Sequence, residues 1–164
     1  MKGTGIVRRL DDLGRLVIPK EIRKQYRLKE GDSIAFYVDH DRIMIQKHDY
    51  MSAHIEDIII MCETLHAMYQ NTVFFIQDEV LKKQQLELQE SFLEASHVHR
   101  MLVFEKKAIF KDKEETYDGI IYPITSFGDW YGAFVMLYDQ KRLEKDQWYA
   151  LEAFAQLLSR QQIQ

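Results

Sequence analysis

Short apolar, β-branched runs separated by polar punctuation fill the first fifty positions, and longer helical periods take over from about position 53. Ile6-Val7 and Leu16-Val17-Ile18 are joined by the polar stretch Asp11-Asp12-Leu13-Gly14, a spacing that predicts two short strands around a turn. At Pro19 the period becomes helical, since proline is tolerated in the first turn of a helix and nowhere further in. On that short helix Lys20, Arg23, Lys24 and Arg27 fall at i, i+3, i+4 and i+7 and share one face, with Ile22 and Tyr26 on the other. Glu30-Gly31-Asp32 is turn chemistry. After it, Ile34, Phe36 and Val38 alternate within 33–38, and Ile43 and Ile45 alternate within 43–47, on either side of Asp39-His40-Asp41-Arg42. That pattern predicts a hairpin, so the expected order is strand, strand, helix, hairpin.

Residues 48–52 are polar enough to mark a boundary. From 53 to 69 a helical face is traced by Ile55, Ile58, Ile59, Cys62, Leu65 and Tyr69, and Ile60, Met61 and Met68 widen it. A helix apolar over so much of its girth is expected to be covered from two sides, by its own domain and by a partner chain. Further on, 71–76 reads as a strand, 84–97 as a more polar helix, and 101–110 and 117–124 as strands flanking the charged loop 111–115. A hairpin over 126–132 leads into a strand at 133–138. A closing helix spans 143–161, with Trp148, Leu151, Phe154, Ala155 and Leu158 at spacings of three and four. The second region is therefore α+β, a sheet backed by its first and last helices.

Size sharpens this picture. Fifty residues without a disulfide or metal bury too small a fraction of their surface to be comfortably stable alone, so residues 1–50 are expected to form an obligate dimer with interleaved strands. Of 164 residues 46% are hydrophobic and 12% aromatic, a globular composition. The net charge of -4 argues against nucleic acid only until it is divided. Through Tyr50 there are 11 Lys/Arg against 8 Asp/Glu, and beyond it 11 against 18, as if two regions meet different partners. The single Cys62 excludes an internal disulfide and reads as a packed thiol. No apolar run approaches the roughly 18 residues that span a bilayer, and the first residues contain no signal-peptide apolar core; a cytoplasmic protein without a membrane partner is expected.

Arg8, Arg9 and Arg15 flank the first turn, and Lys20, Arg23 and Lys24 lie on the helix. Such groups on a rigid turn and helix can meet phosphates along a duplex, and arginine can also read guanine O6 and N7 with two parallel hydrogen bonds. The plainer reading is a solvated surface balanced by Asp11, Asp12, Glu21 and Glu30. Enzymatic signals are weak. His97 and His99 are two apart, with no metal-ligand spacing around them, and read as a helix end or loop. Glu114-Glu115 and Asp11-Asp12 are adjacent pairs in turns, and no phosphate loop or nucleophile elbow is present. Phe74, Phe75, Phe104, Phe110, Tyr122 and Phe134 would serve as core more readily than as the lining of a ligand pocket.

The stretch MKGTGIVRRLDDLGRLVIPKEIRKQYRLKEGDSIAFYVDHDRIMIQK resembles, nearly end to end, the swapped-hairpin DNA-binding domain of the AbrB/SpoVT family of transition-state and sporulation regulators. The resemblance implies that residues 1–50 form a dimeric, interleaved β-barrel on double-stranded DNA, and that Arg8, Arg15, Arg23 and Lys24 carry most of the contact, with Arg9 and Lys20 beside them. Lys24 departs from the family arginine, keeping the charge and losing the bidentate fork. The tail resembles the sporulation branch of the family in Tyr122-Pro123-Ile124, Gly128, Tyr131-Gly132-Ala133 and the closing helix, which implies a GAF-like α/β sandwich over 53–164. The match is weaker between 77 and 100. Such a domain serves as a small-molecule sensor or as an assembly module for a homodimer or homotetramer; no cofactor is implied, and the residue set of cyclic-nucleotide-binding GAF domains is missing. The MazE-type antitoxins share the N-terminal module but append a short flexible tail, unlike the periodic hundred residues here.

Overall fold

Two separate sheets form, one in each of two compact units, Met1–His48 and Asp49–Gln164. The computed structural model describes residues 3–48, 50–126 and 128–161; Asp49 at the expected boundary and Phe127 in the expected hairpin lie outside the described residues.

In the first unit, helix α1 (Lys20–Gln25) is followed by β1 (Ile34–Asp39) and β2 (Arg42–Lys47). The two strands pair antiparallel across His40-Asp41, with Phe36 opposite Ile45 and Val38 opposite Ile43, so the alternation read from the sequence gathers these four on one face. Asp32 anchors the entry to β1. Partial burial pushes its carboxyl up, but the Lys29 backbone N–H and the Lys47 ammonium, 3.0 Å away, together hold it below the usual carboxylate range.

Three expectations for this unit are corrected. The strands expected at Ile6-Val7 and Leu16-Val17-Ile18 do not form; both segments are irregular and only the turn between them is made. A strand needs a partner for its backbone groups, and within one chain these runs pair neither with each other nor with the hairpin's open edges. The single chain accordingly closes no barrel, its sheet being the β1–β2 hairpin alone. The basic face is also shorter than its spacing predicts. Arg27 stands beyond α1 with φ 52, while the Leu28 N–H donates to the Arg23 carbonyl at 2.8 Å and the Arg27 N–H to that of Lys24 at 3.3 Å. That is a Schellman closure formed without glycine. Tyr26 caps the helix and is exposed rather than packed.

Among residues 3–48 not one is buried. Phe36 is 73%, Val38 80% and Ile43 75% exposed, and Val7, Leu10, Leu13, Leu16 and Val17 are exposed as well. Stable monomers rarely leave apolar patches of this kind in water.

In the second unit, a 3-10 turn (Tyr50–His54) leads into α2 (Ile55–Tyr69), then β3 (Val73–Ile76), α3 (Asp78–Lys83), α4 (Glu90–Ala95), β4 (Leu102–Ala108), β5 (Thr116–Ser126), β6 (Asp129–Leu137) and, after a second 3-10 turn, α5 (Tyr149–Gln161). The strands form one antiparallel sheet in the order β3-β6-β5-β4. Both faces are apolar. Phe75, Ile120, Ile124, Phe134 and Met136 pack with Ile58, Cys62 and Leu65 of α2 and Leu151, Ala155 and Leu158 of α5. Phe74, Ile121, Val135 and Leu137 alternate to the opposite face and meet Leu81, Leu88, Phe92, Phe104, Ile109 and Phe110. The first and last helices therefore back one face only, and the segment from 81 to 98, with Ile109 and Phe110, covers the other.

That second layer explains why only 90–95 of the helix expected over 84–97 forms, while α3 is a helix that the sequence pattern did not predict. Gln85 takes φ 55, and the Leu86 N–H closes onto the Leu81 carbonyl at 3.0 Å, ending α3. The chain then drops Leu88 into the core opposite Phe110, and burial of that leucine outweighs continued helix. Met61 is inside α2's packed face, whereas Ile60 and Met68 are exposed. Asn71 latches the loop after α2 to the loop after β6. Fully buried, it accepts the Gln140 and Lys141 N–H groups at 3.2 and 2.9 Å and donates to the Lys141 carbonyl at 2.7 Å.

Gly119 in β5 is where the two inner strands approach too closely for a side chain. A Cβ there would lie 2.4 Å from the Met136 carbonyl oxygen and 2.7 Å from Cζ of Phe104. Gly119→Ala is expected to cost about 3 kcal/mol, the upper end of overpacking penalties. Both tryptophans, Trp130 and Trp148, lie in this unit, so urea unfolding followed by their fluorescence reads the loss directly; an unchanged midpoint would mean the strands can part at no cost.

Candidate nucleic-acid interface

Six basic side chains singled out by the sequence sit on two adjoining local structures, and all six are exposed. The first is the turn. Gly14, with φ 74, lets the chain reverse, and its N–H donates to the Asp11 carbonyl at 3.1 Å while the Asp11 N–H donates to the Arg15 carbonyl at 3.1 Å. The Asp11 carboxylate completes it. Oδ1 accepts from the N–H of Leu13 at 3.0 Å and of Arg15 at 2.7 Å, and Oδ2 accepts from Nε of Arg15 at 2.6 Å. The Arg15 backbone N–H and guanidinium hold the Asp11 carboxyl below the usual carboxylate range, so it is ionised at neutral pH. Spacing marks Asp11 only as a turn former; its grip on Arg15 is the feature that sequence reading misses.

Arg8 and Arg9 precede this turn, and Arg8 donates from Nη1 to the Val7 carbonyl at 3.0 Å. The second structure is α1, capped by Pro19, whose carbonyl accepts the Arg23 N–H at 2.9 Å. Lys20, Arg23 and Lys24 share a face of it by their spacing; Arg27 has left the helix. A hollow of about 500 Å³ lies beside Arg23, walled by Ile18, Leu28 and Ile34.

The second unit places the remaining candidates. Phe74, Phe75, Phe104, Phe110 and Phe134 are buried in the two packed layers and Tyr122 is half-buried, the core role rather than a pocket lining. A hollow of about 540 Å³ lies among Thr72, Leu86, Phe110, Lys113, Tyr117 and Asp139, with the Lys113 ammonium 5.0 Å above the Phe110 ring. His97 donates from Nδ1 to the Leu93 carbonyl at 2.9 Å at the end of α4 and stacks on Trp130, and His99 donates from Nε2 to the Gly128 carbonyl at 3.2 Å. Burial pushes the Cys62 thiol up to about 12, out of reach of thiolate chemistry. Among the described residues no three His, Cys, Asp or Glu side chains group closely enough to hold a metal ion, and no helix is long and apolar enough to cross a membrane.

Comparison with known proteins bears on both units. Residues 7–51 match the family model described as "Antidote-toxin recognition MazE, bacterial antitoxin". Over nearly the full length, the chain is 32% identical to stage V sporulation protein T of Bacillus subtilis, covering 98% of each. It is 48% identical over 48 residues to the transition state regulatory protein AbrB of the same organism, 29% of this chain and 50% of that one. Among solved structures, the N-domain of the transcription factor abrB matches at 48% identity over 29% of this chain and 92% of that domain, with a TM-score of 0.28, a likeness of sequence.

Proposed function

Because the chain belongs to the AbrB/SpoVT family of transition-state and sporulation regulators, we propose that it is a DNA-binding transcriptional regulator acting as a dimer or a dimer of dimers. The observation that carries this reading is the first unit's inverted economy: forty-odd residues with nothing buried, an apolar hairpin face open on one side and exposed arginines on the neighbouring turn and helix. A second copy interleaving its strands would pair the unpaired runs at 6–7 and 16–18, cover Phe36, Val38 and Ile43, and close a barrel. It would also double the basic set. In that assembly Arg8, Arg15, Arg23 and Lys24 contact the duplex, with Arg9 and Lys20 at the margin. Residues 53–164 are read as a GAF-like domain that sets assembly, and the exposed Ile60 and Met68 of α2 suit a helix covered by another subunit. A small-molecule ligand would modulate that domain. The antitoxin reading shares the N-terminal module, but in place of a wrapping tail this chain carries a packed four-stranded sheet with helices on both faces.

Salt dependence tests the proposal. Two copies of four side chains address roughly eight phosphates, so log K against log salt is expected to fall with a slope of about −7, or about −5 if one residue per chain is charge-balanced within the protein. Fluorescence anisotropy with the full chain and a labelled duplex enriched from a random-sequence pool gives the slope. A value shallower than about −2, or no duplex enriched at all, would remove these side chains from DNA.

A further inference from the structure

The acidic residue of the first turn is held by the backbone before it holds Arg15. Oδ1 of Asp11 takes two main-chain donors, Leu13 and Arg15, which fix the carboxylate in the frame of the turn, and Oδ2 is then a rigid anchor for Nε of Arg15 at 2.6 Å. Arg15 remains 72% exposed. An ion pair so exposed adds little stability, so its effect is on direction and charge. With Nε engaged, the guanidinium keeps its two Nη groups, a pair of parallel donors able to meet two acceptors such as guanine O6 and N7. An untethered arginine must first give up its rotamer freedom to do the same. Arg8 differs: it donates to a neutral carbonyl, that of Val7, and keeps its full charge for phosphate.

We propose that Asp11 is a specificity-determining positioning residue, which anchors Arg15 through Nε so that its Nη pair is presented to a base edge, and which offsets Arg15's attraction for phosphates of arbitrary sequence. This rests on the reading of Arg15 as a DNA contact. The turn thereby turns affinity into discrimination: Arg15 chooses among duplexes, and Arg8, Arg23 and Lys24 grip them.

The test is Asp11→Asn in the full-length protein, because the amide oxygen still accepts the two backbone N–H groups while its NH2 confronts Nε of Arg15 donor to donor. Affinities are measured for the enriched duplex and for a scrambled duplex of equal length. Expected is a fall of about tenfold or more in the ratio of the two, with scrambled-duplex binding equal or tighter and a salt slope on it steeper by about 2, one charge regained per subunit. Arg15→Lys is expected to lose the same ratio, and the double variant no more than either. An unchanged ratio, or equal loss on both duplexes, overturns the proposal. If Asp11→Asn does not fold, the wild-type protein decides. Its Arg15 Nε–H resonance, assigned by its absence in Arg15→Lys, is expected to be sharp at neutral pH, where the Nε–H of a free arginine exchanges fast with water; one exchanging as fast as free arginine overturns the anchor. Failure of the parent reading looks different, since the wild-type protein would then prefer no duplex.

Discussion

Arg15→Ala is expected to abolish selective DNA binding, weakening the enriched duplex by about a hundredfold or more while the protein stays folded and associated. Two subunits each lose a bidentate contact, and such a contact discriminates by about 1–3 kcal/mol, so the pair reaches that loss before any phosphate term is counted. The fold is spared because the guanidinium is largely exposed and its hydrogen bond runs to Asp11 in the same turn; the backbone bonds of Asp11 to Leu13 and to the residue 15 N–H survive the substitution. Anisotropy titration beside sedimentation and far-ultraviolet circular dichroism checks both halves. Loss of folding would reassign Arg15 to structure, and undiminished binding would remove it from the interface.

Phe36→Asp is expected to be the other severe change, and to act on assembly. Phe36 pairs with Ile45 on the hairpin face and is 73% exposed in one chain, so substitution costs a monomer almost nothing. In an interleaved dimer the same position is interior twice over, and a carboxylate driven into each site costs on the order of 3 kcal/mol or more. Hydrogen exchange of residues 34–47 in the full-length protein reads the outcome: slow in wild type, fast in the variant, with DNA binding lost and tryptophan fluorescence of the second unit unchanged. Wild-type protection that survives Phe36→Asp would show that the hairpin is not an interface.

Much of this was legible because periodicity reports faces. The alternation at Ile34, Phe36 and Val38 gave the hairpin, and the spacing of Ile58, Cys62 and Leu65 gave the packed side of α2. What periodicity does not report is where a chain needs a second copy. The runs at 6–7 and 16–18 are apolar and mostly β-branched, yet they pair with no edge in one chain and stay irregular. Helix ends were misjudged as well. Arg27 adopts the left-handed conformation that sequence reading reserves for glycine or asparagine, followed by the half-buried Leu28; Gln85 does the same after α3, a helix that the pattern did not predict. The six basic residues were legible as charge, but Asp11's hold on Arg15 depends on which carboxylate oxygen meets which donor, and no spacing encodes that.

The unburied first unit also gives the two halves of this chain different rate laws. In the dimer proposed above, the second unit closes its core within one chain, whereas the hairpin end is finished by collision with a second copy, so the rate of that step goes as the square of the chain concentration. Diluted, such a chain loses its reading head before its scaffold. On that proposed assembly, a falling copy number would silence the regulator more sharply than in proportion.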